Sequence, residues 1–371
     1  MQNKSLIINF FLLSLIIIMY SCSGSTETKV IAEEREKPVV DNIILMIGDG
    51  MGVAQVYAAM TSSSDTLNLE KFPVVGFHKS YSADNYVTDS GAGGTALATG
   101  HKTYNGAIGV DTNQQVLTTI LEIAEAHGLA TGLVSTSSIT HATPAAFVAH
   151  QASRDNQEAI AEDLLNSGVD VFIGGGRQYF SQREDGQDLT VALRQKGYKV
   201  VYNLDEITKT KSGKLAGLTA DEHNISVLEG RSEMLPLATS TALQLLSNNQ
   251  RGFFLMVEGS QIDWGGHAND LDYVVSEVLD FDKAIGKALE FAKMNKHTLV
   301  IVTADHETGG LTLEKGNIRS HQVEGKFSTE GHTAVMVPVF AYGPGAEKFS
   351  GIYENTAIFE KLMNVYRFKE D

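Results

Sequence analysis

Residues 42–50 read NIILMIGDG, and two later stretches follow the same pattern: residues 253–267 read FFLMVEGSQIDWGGH and residues 299–308 read LVIVTADHET. In each stretch a continuous apolar run ends abruptly in carboxylates or histidines. Continuous apolar runs are typical of strands that are buried on both faces of a parallel sheet. Because ligands bind at the carboxyl ends of such strands, we expect the three polar clusters to lie close together.

The rest of the chain alternates between the same two kinds of pattern. Further apolar runs, bounded by glycine or polar residues, predict strands over residues 127–136, 169–176, 197–203 and 336–345. Apolar residues three and four apart predict helices over residues 114–127, 156–166, 233–247 and about 270–294. This alternation predicts an α/β fold, a three-layer α/β/α sandwich around a large, mostly parallel sheet. Since no fixed-period repeat or internal linker is present, residues 39–371 are predicted to form one domain.

The N-terminus has the features of an export signal. Lys4 precedes an apolar run from Leu6 to Tyr20, which is shorter than the roughly 20 residues needed to cross a bilayer. The run ends at Cys22 in a pattern that resembles a bacterial lipoprotein cleavage box, so residues 1–22 are predicted to be a signal peptide with Cys22 as the lipidated residue. An ordinary signal peptide that contains a cysteine is the alternative. Residues 23–38 are polar and are predicted to be a flexible tether.

These features predict an exported protein, either periplasmic or anchored to the outer membrane. Any membrane attachment is expected only through a lipid on Cys22. Since Cys22 is the one cysteine of the chain, no internal disulfide can form. The 45 acidic residues outnumber the 29 Lys and Arg residues, and the formal net charge is -16. This charge disfavours binding to nucleic acid, and a small anion needs metal ions or a well-placed arginine.

Several side chains after the strands are of the types that bind metals. They are Asp49, Glu258, Asp263, His267, Asp305 and His306. His332 in EGHTAVMV and the pair His141 and Thr143 in THATPAAF add further donors. Neutral imidazole with carboxylate suits zinc, and carboxylate with hydroxyl suits magnesium. Taken singly, each residue is more often a helix cap or a surface residue, but DWGGH and TADHET each combine a carboxylate and an imidazole near a buried strand. The combination favours a metal site.

A second motif, VTDSGAGGTALATG over residues 87–100, sets Ser90 at the start of a run of small residues. A helix that begins there would offer free N–H groups to an anionic oxygen, and Ser90 could act as a nucleophile. Alternatively, Asp89 and Ser90 only cap the helix. A GxSxG hydrolase elbow is excluded because Thr88 stands where the first glycine belongs, and a Walker loop is excluded because His101 separates Gly100 from Lys102.

Together the motifs resemble those of the alkaline phosphatase family, and they occur in the same order along the chain. They are GDGMG at Asp49, VTDSGAGGT around Ser90, THATPAAFVAHQASR, EGSQIDWGGHAND, TADHETGG and GHT. The resemblance extends from Asp41 to the C-terminus. It implies an alkaline phosphatase-like fold, a homodimer, and hydrolysis of phosphate monoesters through a phosphoserine with two zinc ions and one magnesium ion.

The resemblance also implies roles for individual residues. One zinc would be held by Asp263, His267 and His332, the second zinc by Asp49, Asp305 and His306, and the magnesium by Asp49, Thr143 and Glu258. Arg154 would grip the phosphate through two parallel hydrogen bonds. Asp89 would position Arg154, and Ser90 would be the nucleophile.

Two positions depart from the enterobacterial form of the family, which has Asp in place of His141 and Lys in place of Trp264. His141 is therefore expected to contact a magnesium-bound water rather than the metal. Trp264 is expected to face the substrate without adding a positive charge. Two other functions remain open on the sequence alone: a metal-dependent phosphodiesterase of the same superfamily, and a non-catalytic phosphate-binding lipoprotein.

Overall fold

The computed structural model describes residues 40–368. The predicted signal peptide of residues 1–22 with Cys22, the predicted tether of residues 23–38, and the first residue of the predicted domain lie outside the described residues. Among the described helices, none combines the length and apolar character needed to span a membrane.

The described residues contain a ten-stranded sheet and two small two-stranded sheets. In chain order the strands are β1 (Asn42–Gly48), β2 (Val74–Lys79), β3 (Ala130–Ser138), β4 (Val171–Gly175), β5 (Tyr198–Val201), β6 (Lys214–Leu218), β7 (Phe253–Gly259), β8 (Thr298–Thr303), β9 (Glu307–Thr308), β10 (Thr312–Asn317), β11 (Gln322–Lys326), β12 (His332–Thr333), β13 (Val337–Tyr342) and β14 (Gly351–Glu354). The large sheet has the order β14-β2-β13-β8-β1-β7-β3-β4-β6-β5. Within it only β13 runs antiparallel to its neighbours.

Helices connect and cover these strands. They are α1 (Val53–Ser62), α2 (Ser90–Thr99), α3 (Ile120–Ala126), α4 (Ala142–Ala145), α5 (Gln157–Ser167), α6 (Arg177–Ser181), α7 (Leu189–Gln195), α8 (Leu204–Lys209), α9 (Met234–Leu246), α10 (Gln261–His267), α11 (Leu271–Asn295) and α12 (Ala357–Tyr366), with short 3₁₀ helices at Asn68–Lys71 and Ala346–Phe349.

Successive residues of β1 enter two separate apolar cores, because side chains alternate between the faces of a strand. Ile43 belongs to the core that contains Leu121 of α3. Ile44 belongs to the core that contains Phe281 of α11. The sheet is thus covered by helices on both faces, which explains the continuous apolar runs. The predicted three-layer α/β/α sandwich with a mostly parallel sheet is confirmed.

Three of the predicted helices agree with the structure to within one residue, namely α5, α9 and α11. The helix predicted over residues 114–127 begins later, at Ile120. The hydroxyl of Thr119 accepts a hydrogen bond from the Glu122 backbone N–H, and the Glu122 carboxylate accepts one from the Thr119 backbone N–H. This reciprocal capping box fixes the start of α3. Residues 114–118 are not helical: Gln114 has a φ of 62°, and Val116 forms an isolated antiparallel β-bridge with Val110.

The strand register determines where the polar clusters lie. Ile47 of β1 pairs with Glu258 of β7 on one side and with Thr303 of β8 on the other. Ser135 of β3 also pairs with Glu258. Because these strands are parallel and in step, the segments that follow them leave the sheet at the same edge. This edge carries the site.

Candidate functional site

Three groups of metal-binding side chains meet at this edge, and within each group the ligand atoms lie within 4.8 Å of one another. They are Asp263, His267 and His332; Asp49, Asp305 and His306; and Asp49, His141 and Glu258. The carboxyl ends of β1, β7 and β8 supply most of them, as the sequence predicts. His332 arrives from β12, which pairs with β9 directly after His306.

The first group has two histidine rings that face each other. His267 Nε2 lies 3.1 Å from His332 Nε2, and the two nitrogens lie 3.3 Å and 3.5 Å from the carboxylate of Asp263. Each ring donates its Nδ1–H to a backbone carbonyl, that of Glu330 at 2.5 Å and that of Thr88 at 2.9 Å. With both Nδ1–H groups bonded to these carbonyls, the two Nε2 atoms point at the same place and can share a proton or a metal ion. Only a positive charge, a metal ion or a proton, stabilises this arrangement.

The pKa shifts in this group have the same cause. The hydrogen bond to Asp263 raises the pKa of His267 to about 9, so without a metal ion this ring holds a proton beside the carboxylate. Burial lowers the pKa of His332 to about 4, so this ring stays neutral. A neutral imidazole beside an ionised carboxylate is the donor set that zinc prefers.

The second group surrounds Ser90. His306 Nε2 lies 3.3 Å from Ser90 Oγ, 3.3 Å from Asp49 Oδ1 and 3.4 Å from Asp305 Oδ2. Asp49, Asp305 and His306 are fully buried, and Ser90 is 2% exposed. Both carboxylate oxygens of Asp49 and the Oδ2 atom of Asp305 accept no hydrogen bond from the described residues. Buried acceptors without donors are costly unless a cation satisfies them.

Burial and the close packing of carboxylates in this group raise their pKa values. Burial, reinforced by the Asp305 carboxylate, raises the pKa of Asp49 well above its usual range. Burial together with Asp263 raises the pKa of Asp305 to about 6. Carboxylates packed this closely repel one another, and bound divalent cations would remove the repulsion. The residues of both groups therefore fit metal ions.

The third group lies beneath the second. Glu258 Oε2 accepts a hydrogen bond of 2.6 Å from Ser135 Oγ, while its Oε1 atom has no hydrogen bond within the described residues. The hydroxyl of Thr143 lies beside Glu258 and is buried without a partner in the described part of the chain. Burial raises the pKa of Glu258 to about 7. Carboxylate and hydroxyl oxygens are a donor set for magnesium.

His141 belongs to this third group, but its hydrogen bonding limits what it can do. Arg154 Nη2 lies 3.1 Å from His141 Nε2. Since a guanidinium only donates, Nε2 must accept, and the proton of the neutral ring is on Nδ1. Burial, with help from the Arg154 charge, lowers the pKa of His141 to about 3, so the ring is neutral. A protonated Nδ1 can donate a hydrogen bond but cannot ligate a metal.

Arg154 is fixed from two sides. Its Nη1 atom donates to Asp89 Oδ2 at 2.9 Å, and its Nη2 atom contacts His141. Asp89 is itself the N-cap of α2, because its Oδ1 atom accepts hydrogen bonds from the backbone N–H groups of Ala92 and Gly106 at 2.9 Å and 3.0 Å. The capping interpretation of Asp89 is therefore correct, and it coexists with the contact to Arg154. The start of α2 therefore fixes the position of Ser90 directly and that of the Arg154 guanidinium through Asp89.

The protein family described as alkaline phosphatase matches the chain over residues 40–325 and 314–368. The chain belongs to the alkaline phosphatase family. It is therefore an enzyme, a metal-dependent phosphatase acting on phosphate monoesters.

Individual relatives agree with this assignment. Alkaline phosphatase 4 of Bacillus subtilis is 37% identical over 412 aligned residues, which cover 88% of this chain and 89% of that protein. The alkaline phosphatase structure from the Antarctic bacterium TAB5 is 44% identical, covers 90% of this chain and 100% of that chain, and has a TM-score of 0.85. A histidine-to-aspartate variant of the TAB5 enzyme, solved with magnesium bound, is 43% identical with the same coverage and TM-score.

Trp264 of this alkaline phosphatase lies on α10 beside two histidines. Its ring is 6.3 Å from that of His141 and 4.8 Å from that of His223, with interplanar angles of 89° and 74°. His223 also lies edge-on to His141 at 5.6 Å, and its Nδ1 atom accepts a hydrogen bond from the Ser138 backbone N–H at 3.0 Å. Trp264 is thus connected to Arg154 through His141.

Sequence reasoning missed two residues at this alkaline phosphatase site. His223 follows β6, whose short apolar run LAGL ends in the polar segment TADEH over 219–223. The pattern is the same as that of residues 299–308, but the run has only four residues and was not predicted as a strand. Thr308 lies within the motif TADHETGG, in which only the carboxylate of Asp305 and the imidazole of His306 were predicted to take part. All the predicted metal ligands lie at the one edge of the sheet, together with Ser90, Asp89 and Arg154.

Proposed function

We propose that this phosphatase hydrolyses phosphate monoesters at alkaline pH by transferring the phosphoryl group first to Ser90 and then to water. The observation that carries the proposal is the position of one hydroxyl: Ser90 Oγ lies at the first residue of α2 and 3.3 Å from His306 Nε2. Covalent catalysis of this kind divides one difficult displacement into two easier ones. Unpaired N–H groups at the start of α2 add a favourable field for an anionic oxygen.

The two steps balance in atoms and charge. In the first, Ser90 Oγ bonds to phosphorus, the ester P–O bond breaks, and the alcohol leaves with a proton in exchange for the one lost by Ser90. In the second, water attacks the phosphoserine, the bond from Ser90 to phosphorus breaks, and phosphate leaves. The Ser90 hydroxyl is thereby regenerated.

Arg154 is proposed to bind the phosphate. Each terminal nitrogen of a guanidinium carries two hydrogens, and the contacts to Asp89 and His141 use one on each. The remaining hydrogens can donate to two phosphate oxygens. Although burial alone would lower the pKa of Arg154, Asp89 raises it, so the positive charge persists at alkaline pH. In a chain with a net charge of -16, this local positive charge is what attracts a dianion.

The three groups at the sheet edge are proposed to hold two zinc ions and one magnesium ion. Asp263, His267 and His332 would bind one zinc, Asp49, Asp305 and His306 the other, and Asp49, Thr143 and Glu258 the magnesium. When bound, the zinc ions would supply Lewis acidity that stabilises negative charge on the attacking and leaving oxygens. His141 would orient a water at the magnesium through Nδ1–H.

Trp264 is proposed to contribute to substrate binding through its neighbours rather than through charge. Its indole N–H is a neutral donor, and the ring packs against His141, which contacts Arg154. An enzyme with this arrangement is expected to hold phosphate less tightly than one with an ammonium group at the same position.

The proposed setting is outside the cytoplasm, either in the periplasm or at the outer membrane, with residues 1–22 as a signal peptide, Cys22 as a lipid attachment point and residues 23–38 as a tether. A homodimer is proposed from the family resemblance. Exposed apolar side chains at Val53, Tyr57 and Val335 support a partner surface on the described domain.

One assay tests the proposed reaction. The purified enzyme, loaded with zinc and magnesium, is given three chromogenic substrates at alkaline pH: a phosphate monoester, a phosphate diester and a sulfate ester. We expect turnover of the monoester to exceed that of the others by at least about 100-fold, because the two zinc groups and Arg154 together suit a dianion with one ester bond. Preferential cleavage of the diester would instead establish the phosphodiesterase.

A further inference from the structure

Thr308 lies between the first and second groups of metal-binding side chains. Its Oγ1 atom donates a short hydrogen bond to Asp263 Oδ1, and the same atom lies 3.2 Å from His306 Nδ1. The threonine is fully buried. One hydroxyl therefore contacts a proposed ligand of each zinc ion.

The hydrogens of this contact can be assigned by counting. A hydroxyl has one hydrogen, and the ionised Asp263 carboxylate can only accept it. His306 Nδ1 must then donate to Thr308 Oγ1, because two acceptors cannot share a single hydrogen. The Nε2 lone pair of His306 is consequently directed at Ser90 and at the carboxylates of Asp49 and Asp305.

The backbone around Thr308 leaves the hydroxyl little freedom. A Cβ atom on Gly50 would come within 2.7 Å of Thr308 Oγ1, and one on Gly266 would come within 2.9 Å of Thr308 Cβ. The backbone N–H of Thr308 donates to the Gly50 carbonyl at 3.1 Å, and its carbonyl accepts from Gln55 Nε2 at 2.9 Å. Two glycines thus create the space, and two hydrogen bonds fix the residue within it.

We propose that Thr308 is a positioning residue that couples the two zinc sites, by holding His306 in the Nδ1-protonated tautomer and Asp263 in its ligating orientation. This inference rests on the proposed metal-dependent function. Hydrogen bonds from outside the ligand set commonly change metal affinity by about 10- to 100-fold. Since Thr308 acts on a ligand of each site, its loss weakens both, whereas loss of a single ligand weakens its own site most.

The test compares three variants of the full-length protein. Thr308→Val keeps the side-chain shape but replaces the hydroxyl by a methyl group. Thr308→Ala removes the hydroxyl and leaves a smaller side chain. Thr308→Ser retains the hydroxyl. Two properties are measured: the tautomer of His306 in metal-free protein, by ¹⁵N chemical shifts of labelled histidines, and zinc affinity, by equilibrium dialysis. Neither readout depends on phosphatase activity.

We expect the valine and alanine variants to lose the Nδ1-protonated signal of His306 and to bind both zinc ions about 10-fold or more weakly, while the serine variant matches wild type. An unchanged tautomer in the hydroxyl-free variants, or a loss of affinity confined to one zinc, overturns the proposal. Failure of the proposed function has a different signature in the wild-type protein, namely no turnover of a phosphate monoester although zinc and magnesium are bound.

Discussion

His267 Nε2 and His332 Nε2 lie 3.1 Å apart, and each ring is held in place by a backbone carbonyl on its far side. Two imidazole lone pairs approach this closely only around a positive charge. The backbone, through Glu330 and Thr88, therefore preorganises a cation site before any cation binds. Preorganisation of this kind makes metal binding specific for the folded chain, because the unfolded chain does not bring these rings together.

Metal removal tests this relationship. Chelation is expected to abolish monoester turnover, and zinc plus magnesium to restore it.

His332→Ala should lower the zinc content by about one ion per chain, since that site loses one of its three protein ligands. Elemental analysis of gel-filtered protein makes the measurement, with His321→Ala, an exposed histidine away from the three groups, as the control. Full zinc occupancy in His332→Ala would show that His332 is not a ligand.

Trp264→Lys tests the role of the aromatic cluster. An ammonium at this position would add attraction for phosphate of about 1 kcal/mol, so the inhibition constant of inorganic phosphate is expected to fall about 5-fold. Because substrate and product are both dianions, tighter binding slows product release, and kcat at alkaline pH is expected to decrease. Trp264→Phe, which retains the aromatic ring, is the control. Unchanged phosphate inhibition in the lysine variant would mean that position 264 does not face the phosphate.

Glu125 provides a prediction of pH-dependent stability far from the sheet edge that carries the site. Burial raises the pKa of this carboxyl to about 7, and Asp170 adds to the effect. The folded state therefore holds a proton that the unfolded state releases at lower pH. The stability linked to this proton is complete below the unfolded pKa of Glu125 and is lost as the pH rises through about 7.

The corresponding variant is Glu125→Gln, which keeps an acceptor for the 2.8 Å hydrogen bond from Thr131 Oγ1. Because the carboxyl is only partly buried, we expect the variant to gain about 1 kcal/mol relative to wild type at alkaline pH. The gain should appear as a Tm higher by about 2 °C near pH 9 and absent near pH 5. Glu290→Gln, an exposed glutamate on α11, is the matched control. A Tm difference that does not change with pH would contradict the prediction.

The parts of the fold that the sequence predicts are those buried on both faces. The apolar runs of β1, β7 and β8 stand out because no polar residue interrupts them. Three strands of the large sheet, β2, β6 and β14, were missed. β2 and β14 lie at one end of the sheet and mix polar with apolar residues. β6 is buried, but its apolar run LAGL is short and contains a glycine. The start of α3 at Ile120 is encoded locally, because Thr119 and Glu122 form a capping box.

The candidate site was predictable to the extent that its residues follow buried strands. Asp49, Glu258 and Asp305 are of this kind, and the parallel register brings them together. His223 also follows a buried strand, but β6 is short and was not predicted, so the polar segment TADEH after it was not recognised as part of the site. The tautomers of His141 and His306 depend on hydrogen bonds from distant residues, which no spacing along the chain encodes.

Ser90 is the centre of the proposed reaction. Ser90→Ala is expected to lower monoester turnover by at least about 1,000-fold while the metal content stays near that of wild type, since Ser90 is not one of the proposed protein ligands in the three groups. Ser320→Ala, which removes an exposed serine, is the matched control and should retain full activity.

The most direct measurement is to trap the intermediate. The enzyme is mixed with a phosphate monoester, quenched in acid after a brief interval, digested and examined by mass spectrometry. The account predicts one phosphoryl group on the peptide that contains Ser90, assigned to Ser90 by fragmentation and missing from Ser90→Ala. Two results would contradict the account. One is turnover of the monoester with no phosphoryl group on that peptide, and the other is near-wild-type turnover in metal-replete Ser90→Ala.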